Sequence, residues 1–261
     1  MTPPLRFGAF APQGWKLEYS GWSAADAWAH SVEVATLAEA LGYDHLWVYD
    51  HVETVPRREP THVFEAFTLL AAVAQHTTRV GLGQLVTCAA YRNPGLLAQM
   101  AVTVDAASGG RVVLGLGAGW DEDEYRAFGY GAELPPIAER LRHLDETLQI
   151  VRKRFDGPVL VGGAGERVLL RLVAQHADAC NLTDSFEPEF YRHKLDVLRR
   201  HCEELGRDYD SILRTASFTV PSDVDRDVLD RLAAAGITYF ILYVTPPGDV
   251  AALERLAATL L

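Results

Sequence analysis

The chain has 261 residues, 49% apolar and 23% charged, with a net charge of −11. This is ordinary globular composition with enough chain for a large core, and an acidic balance without a basic run argues against nucleic acid as a partner. Cys88, Cys180 and Cys202 are widely spaced, with no CxxC or Cys/His cluster, so reduced thiols in a cytoplasm and no metal site are expected, and no apolar stretch reaches the roughly 18 residues of a membrane span.

The opening MTPPLRFGAFAP lacks the basic and apolar regions of a secretion signal. Residues 5–10 form a first apolar run of strand length, followed by an aromatic loop (Trp15, Tyr19, Trp22) and a helix over 23–41. Apolar residues in that helix keep i, i+3/i+4 spacing, Ser23 is placed to cap it, and Gly42 sits at C′. A second strand over 46–51 leads to a helix from residue 63. A third over 79–87 leads to a helix that Asn93 caps with Pro94 at its first position. The fourth, 111–117, is followed by helical pieces over 122–128 and 137–154. In the second half, strands over 158–163, 179–182, 213–220 and 239–244 alternate with helices over 166–176, 187–205, 225–235 and 249–261.

The strand cores are continuous apolar runs, as expected of parallel strands buried on both faces. Eight strand–helix units in a chain of this length predict an α/β fold: a single (β/α)8 TIM barrel over residues 1–261.

The stretch RVVLGLGAGW carries Gly115, Gly117 and Gly119 on alternate positions at and just beyond the end of the fourth strand. A dinucleotide fingerprint needs GxGxxG in the first strand–helix turn and an acidic residue some twenty positions on. Here the spacing is GxGxG, the turn follows the fourth strand rather than the first, and position +20 falls in a helical stretch rich in Arg and Glu instead of at the next strand end. In a barrel, Gly115 and Gly117 leave room for a flat ligand against the backbone, or simply relieve crowding, and Gly119 permits the turn. Gly162, Gly163, Ala164 and Gly165 lie between the fifth strand and the next helix. Successive free N–H groups there form an anion site suited to phosphate. Neighbouring strands four and five open onto one rim, so the two clusters together suggest a phosphate-bearing cofactor with a flat ring.

The runs LWVYDH, VGLGQLVTCAAYRNPGLLAQMAVTVDAASGGRVVLGLGAGWDEDEYRAFGY and VGGAGERVLLRLVAQHADACNL resemble the luciferase-like monooxygenase superfamily, and within it the oxidoreductases that use the deazaflavin coenzyme F420. The resemblance implies a bacterial luciferase-like barrel, a cytoplasmic homodimer, and F420 or FMN across the C-terminal mouth. It implies hydride transfer or, with FMN, oxygen insertion. By position it makes Asp50 and His51 the acid/histidine pair beside the ring. It makes Leu85, Val86 and Thr87 the third-strand bulge behind the ring, often with a non-proline cis peptide. Gly162 to Gly165 become the phosphate cradle, with Gly117 and Gly119 close by.

The chemistry of His51 agrees, because a histidine at a barrel strand's C-terminal end exchanges protons near neutral pH. Hydrogen bonding to backbone alone is the other reading. Trp15, Glu65, Cys88 and Trp120 are the substrate-pocket candidates. Glu65 lies on an apolar face and is read as structural anchor or pocket acid, and Cys88 as pocket wall rather than activated thiolate. Arg92, or Arg57 with Arg58, is the candidate for an anionic cofactor tail. Trp120 and Asp121 stand where some F420 enzymes carry a glutamate, so no catalytic glutamate is carried over. The chain also lacks two insertions usual in the family, one before the fifth strand and one after the seventh. These insertions commonly enclose the substrate. The reading is therefore an F420-dependent oxidoreductase acting on a small organic molecule, with an FMN monooxygenase or a non-catalytic cofactor- or partner-binding barrel as alternatives.

Overall fold

Strands in which every side chain is apolar must be covered on both faces, and a closed parallel barrel does this with helices outside and side chains within. The computed structural model describes residues 5–183, 185–221, 225–245 and 248–261. Its strands are β1 (Arg6–Phe10), β2 (His45–Val48), β3 (Gly81–Gln84), β4 (Thr87–Cys88), β5 (Val112–Gly117), β6 (Val159–Gly162), β7 (Ala179–Thr183), β8 (Leu213–Pro221) and β9 (Tyr239–Thr245). All pair in parallel, and the ring closes through β1 with β9 and β3 with β5. Because β4 also pairs with β5, β3 and β4 are two halves of one stave, leaving the expected eight.

The helices are α1 (Ala24–Leu41), α2 (Ala66–Val73), α3 (Pro94–Ser108), α4 (Glu122–Ala127), α5 (Ile137–Val151), α6 (Leu169–His176), α7 (Pro188–Leu205), α8 (Arg226–Ala234) and α9 (Val250–Leu260). Predicted caps are present: Ser23 accepts from Asp26 N–H, Gly42 has φ 95°, and Asn93 accepts from Gly95 and Leu96 N–H. Two predicted starts move. The helix expected from residue 63 begins at Ala66, because Glu65 caps it, and the helix expected from 166 begins at Leu169. Both shifts lengthen the loops on the C-terminal rim.

Two apolar layers hold the barrel. Inside, Trp47, Tyr239, Leu160 and Ile241 fill the lumen, and the Trp47 indole N–H donates to the Tyr239 hydroxyl at 3.0 Å. Outside, Leu46, Leu82, Leu114 and Phe240 meet the helices. Each such fully buried side chain contributes about 1.5–3 kcal/mol. The lumen is therefore plugged, and a site is expected at its C-terminal end. Among the described residues, no helix is long and apolar enough to cross a membrane.

Candidate active site

Gln13, fully buried after β1, fixes the chain beyond β2. Its amide donates to the carbonyls of Tyr49 at 2.9 Å and Phe64 at 2.6 Å and accepts from Tyr49 N–H. That clamp sends Asp50 and His51 over the C-terminal mouth, where both line a cavity of about 570 Å³. The His51 ring stacks on Trp15 with centroids 4.3 Å apart and planes 6° from parallel, and Trp120 packs edge-to-face with it, centroids 5.5 Å apart.

A carboxylate reaches His51 from Glu124, in the acidic turn that opens α4. Asp121 caps α4 by accepting Glu124 N–H and is itself gripped by both oxygens to Arg58, at 2.8 Å. This aims Glu124 into the rim, where it is wholly buried. One Glu124 oxygen accepts from Val52 and Glu53 N–H, and the other lies 2.8 Å from His51 Nδ1 and 2.6 Å from the Tyr91 hydroxyl. Burial would push this carboxyl up, but the His51 hydrogen bond and charge, Tyr91 and the Val52 N–H together hold it below the usual range. An ionised Glu124 accepts only, so Nδ1 carries the proton and Nε2 remains for other partners. The resemblance carries no catalytic glutamate onto Trp120 and Asp121, and the glutamate that bonds His51 is Glu124, in the first turn of α4.

Asp50 is not a free acid. Its carboxylate takes two hydrogen bonds from Arg92, at 2.6 and 2.8 Å, and one from Cys88 N–H. Arg92 also donates to Glu65 at 2.7 Å. These contacts decide between the two readings of Glu65 in favour of the anchor. Glu65 does not line the cavity; it caps α2, accepting from Thr68, and anchors Arg92. Of the arginines proposed for a cofactor tail, Arg92 and Arg58 are held by the buried carboxylates Asp50 and Asp121, whereas Arg57 pairs with Glu59 at the surface and is 67% exposed.

Between β3 and β4 the peptide Leu85–Val86 is cis, as the resemblance implied. Leu85, Val86 and Cys88 line the cavity, while Thr87 is buried and does not. The glycines explain how Val86 fits. A Cβ on Gly117 would lie 2.5 Å from Val86 Cγ2, and one on Gly162 would lie 2.8 Å from Val86 Cγ1. Gly115 faces the Gln84 carbonyl instead, so it relieves crowding and makes no room for a ligand. Gly119, with φ 80°, turns the chain past Cys88. Burial pushes the Cys88 thiol up to about 12, which keeps it a wall rather than a nucleophile.

At the fifth stave Gly162, Gly163 and Gly165 line the cavity, whereas Ala164 packs on the core. Gly163 N–H is committed to the Asn181 carbonyl. Among the described residues, the amides of residues 164–168, just before α6, donate to no protein acceptor. Beyond them Asn181, bonded to Thr215 and Ser217, forms a polar wall with no recognisable sequence signal. Trp15 and Trp120 line the cavity as expected; Tyr19 is buried elsewhere, and Trp22 is 44% exposed outside it. His51, Asp121 and Glu124 are the described trio of metal-ligand type, but their atoms are committed to one another and to Arg58.

Residues 5–158 match the family model of luciferase-like monooxygenases. A relative from Gordonia bronchialis named F420-dependent glucose-6-phosphate dehydrogenase is 29% identical over 74% of this chain and 64% of its own length. A relative of the same name from Amycolatopsis mediterranei is 38% identical over 75% of this chain and 66% of its own. The chain thus spans just under two thirds of these relatives. Among solved structures, an F420-dependent secondary alcohol dehydrogenase in complex with an F420–acetone adduct superposes with a TM-score of 0.81 at 18% identity, covering 99% of this chain and 98% of that one.

Proposed function

The chain belongs to the luciferase-like monooxygenase family, and on that premise we propose that it is a coenzyme F420-dependent oxidoreductase acting on a small organic molecule. The observation that carries the proposal is that His51, held by Glu124, faces the same cavity as the glycine turn with its open amides. The residues present fit such a cofactor. A cavity of about 570 Å³ lies in the range of cofactor sites. Successive unpartnered N–H groups ahead of α6 suit a phosphate, with the helix dipole adding to them.

When bound, the deazaflavin supplies a ring carbon that gives or takes hydride. Everything else in the proposal is done by the chain. Leu85 and Val86 back the ring site, and Gly117 and Gly162 leave Val86 its room. Trp15 fixes the plane of the His51 imidazole, and Glu124 fixes its tautomer, so Nε2 is the atom that hands a proton to the substrate or takes one from it. Asp50, neutralised by Arg92, acts as a positioning residue by bonding Cys88 N–H at the bulge. A single barrel domain working as a cytoplasmic homodimer without nucleic acid belongs to the same proposal, and sedimentation reads its oligomeric state.

Equilibrium titration of the purified protein with F420 and with FMN tests the reading. Micromolar binding of F420 in preference to FMN is expected. Binding of neither would end the proposal, and tight FMN binding with oxygen consumption would replace it with a flavin monooxygenase.

A further inference from the structure

The relatives described above are named for glucose 6-phosphate, whose phosphate is a dianion near neutral pH. The cavity of this chain has different wall chemistry. Among the described residues that line it, Lys16 is the sole lysine or arginine, and its ammonium lies 4.1 Å from the Trp15 ring centroid. The residues outside the described set (1–4, 184, 222–224, 246–247) include no Lys, Arg or His. Arginines around the rim are engaged: Arg92 by Asp50 and Glu65, Arg58 by Asp121, Arg140 by the carbonyls of Gly119 and Pro135. Recognition of a phosphate dianion normally takes charge-assisted donors, above all arginine forks. The open amides ahead of α6 are the other anion-binding feature, and in the proposed function the cofactor's own phosphate would occupy them.

The cavity offers aromatic surface instead. Phe10, Trp15 and Tyr49 form one side, with Phe10 and Tyr49 stacked at 4.3 Å. Trp120 and Ile137 line the cavity while 63% and 54% exposed, and Phe218, which also lines it, stacks on the exposed Phe186 at 4.7 Å. Exposed large apolar groups collected at a cavity mouth mark a binding surface. We infer that the substrate is an uncharged alcohol or ketone on an aromatic or bulky apolar body, and that sugar phosphates are not accepted. This rests on the hydride-transfer reading above.

The chemistry balances. A ketone carbon receives hydride from reduced F420 and its oxygen receives one proton through His51, giving the alcohol and oxidised F420. An alcohol runs the same step backwards, losing hydride to oxidised F420 and its hydroxyl proton to His51.

The test uses the whole protein, first titrated with F420, then, when saturated, with 1-phenylethanol and with glucose 6-phosphate. Tryptophan fluorescence reads binding and deazaflavin absorbance reads turnover. Binding of 1-phenylethanol about tenfold tighter than glucose 6-phosphate is expected, with oxidation to acetophenone. Trp120→Ala should raise KM for 1-phenylethanol about tenfold while kcat stays within about threefold. The inference is overturned if glucose 6-phosphate binds as tightly or more tightly, or if 1-phenylethanol neither binds nor turns over. Failure to bind F420 at the first step overturns the underlying reading; F420-loaded protein that prefers glucose 6-phosphate overturns only this inference.

Discussion

Glu124 and His51 lie 73 positions apart in the chain and meet at 2.8 Å, with the carboxylate wholly buried. Four donors converge on Glu124, so it holds its charge despite burial and keeps the imidazole in one tautomer. His51→Ala is expected to lower kcat by about 10²–10³-fold, within the usual range for losing a general acid–base group, and to leave F420 affinity within about threefold. Glu124→Gln should cost less in kcat, and nitrogen NMR of the imidazole should change from a single Nδ1–H tautomer to a mixture. An unchanged tautomer in that variant would show that Glu124 does not position His51.

Arg92 joins Asp50 beside the bulge to Glu65 at the start of α2, and its side chain is only 12% exposed. Removing it leaves two carboxylates close together with no counter-charge. Arg92→Met should destabilise the fold by about 3–5 kcal/mol in urea unfolding. Arg92→Lys restores the charge but not the fork, and should recover only part of the loss.

Gly117 is a packing position for Val86. Gly117→Ala puts a methyl 2.5 Å from Val86 Cγ2, which must move, and the wall of the ring site moves with it. F420 affinity should fall about tenfold or more, with a lower Tm. Adding Val86→Ala provides space for the new methyl and should recover much of the Tm. Additive losses in the double variant would contradict this packing relationship.

Glu39 lies on the opposite end of the barrel and serves the fold alone. Burial would raise its carboxyl, but the N–H groups of Val80, Arg79 and Thr78 hold it at about 2. A depressed folded-state value means stability that is present above the unfolded value, near 4.5, and lost as pH falls through about 2. Because the group is largely solvated, the effect is small: Glu39→Gln should lower Tm by about 2 °C at neutral pH. The variant and parent curves should converge as the pH is lowered through that window.

Most of the fold could be read from the chain because parallel staves buried on both faces leave continuous apolar runs, and because Ser23, Gly42, Asn93 and Pro94 punctuate helices by local chemistry. The shifted starts of α2 and α6 come from residues whose role is tertiary: Glu65 both caps α2 and holds Arg92, and the turn before α6 stays open around the glycines. Asp50, His51, Trp15 and the glycine turns were visible as residue types at strand ends. Glu124 was not, because it lies in the acidic run 121–124, which reads as a solvated helix face. The available signal was Tyr125 beside it, an aromatic in an otherwise charged turn, placing that side of α4 against the barrel. Commitment of Asp50 to Arg92 had no local trace, since it depends on how the bulge folds back.

A crystal structure with F420 bound is the most direct check. Phosphate oxygens are expected at hydrogen-bond distance from the amides of residues 164–168, with the ring against Val86 and His51 Nε2 open to the substrate side. A tail bound elsewhere, or an imidazole turned away from the ring, would contradict that arrangement.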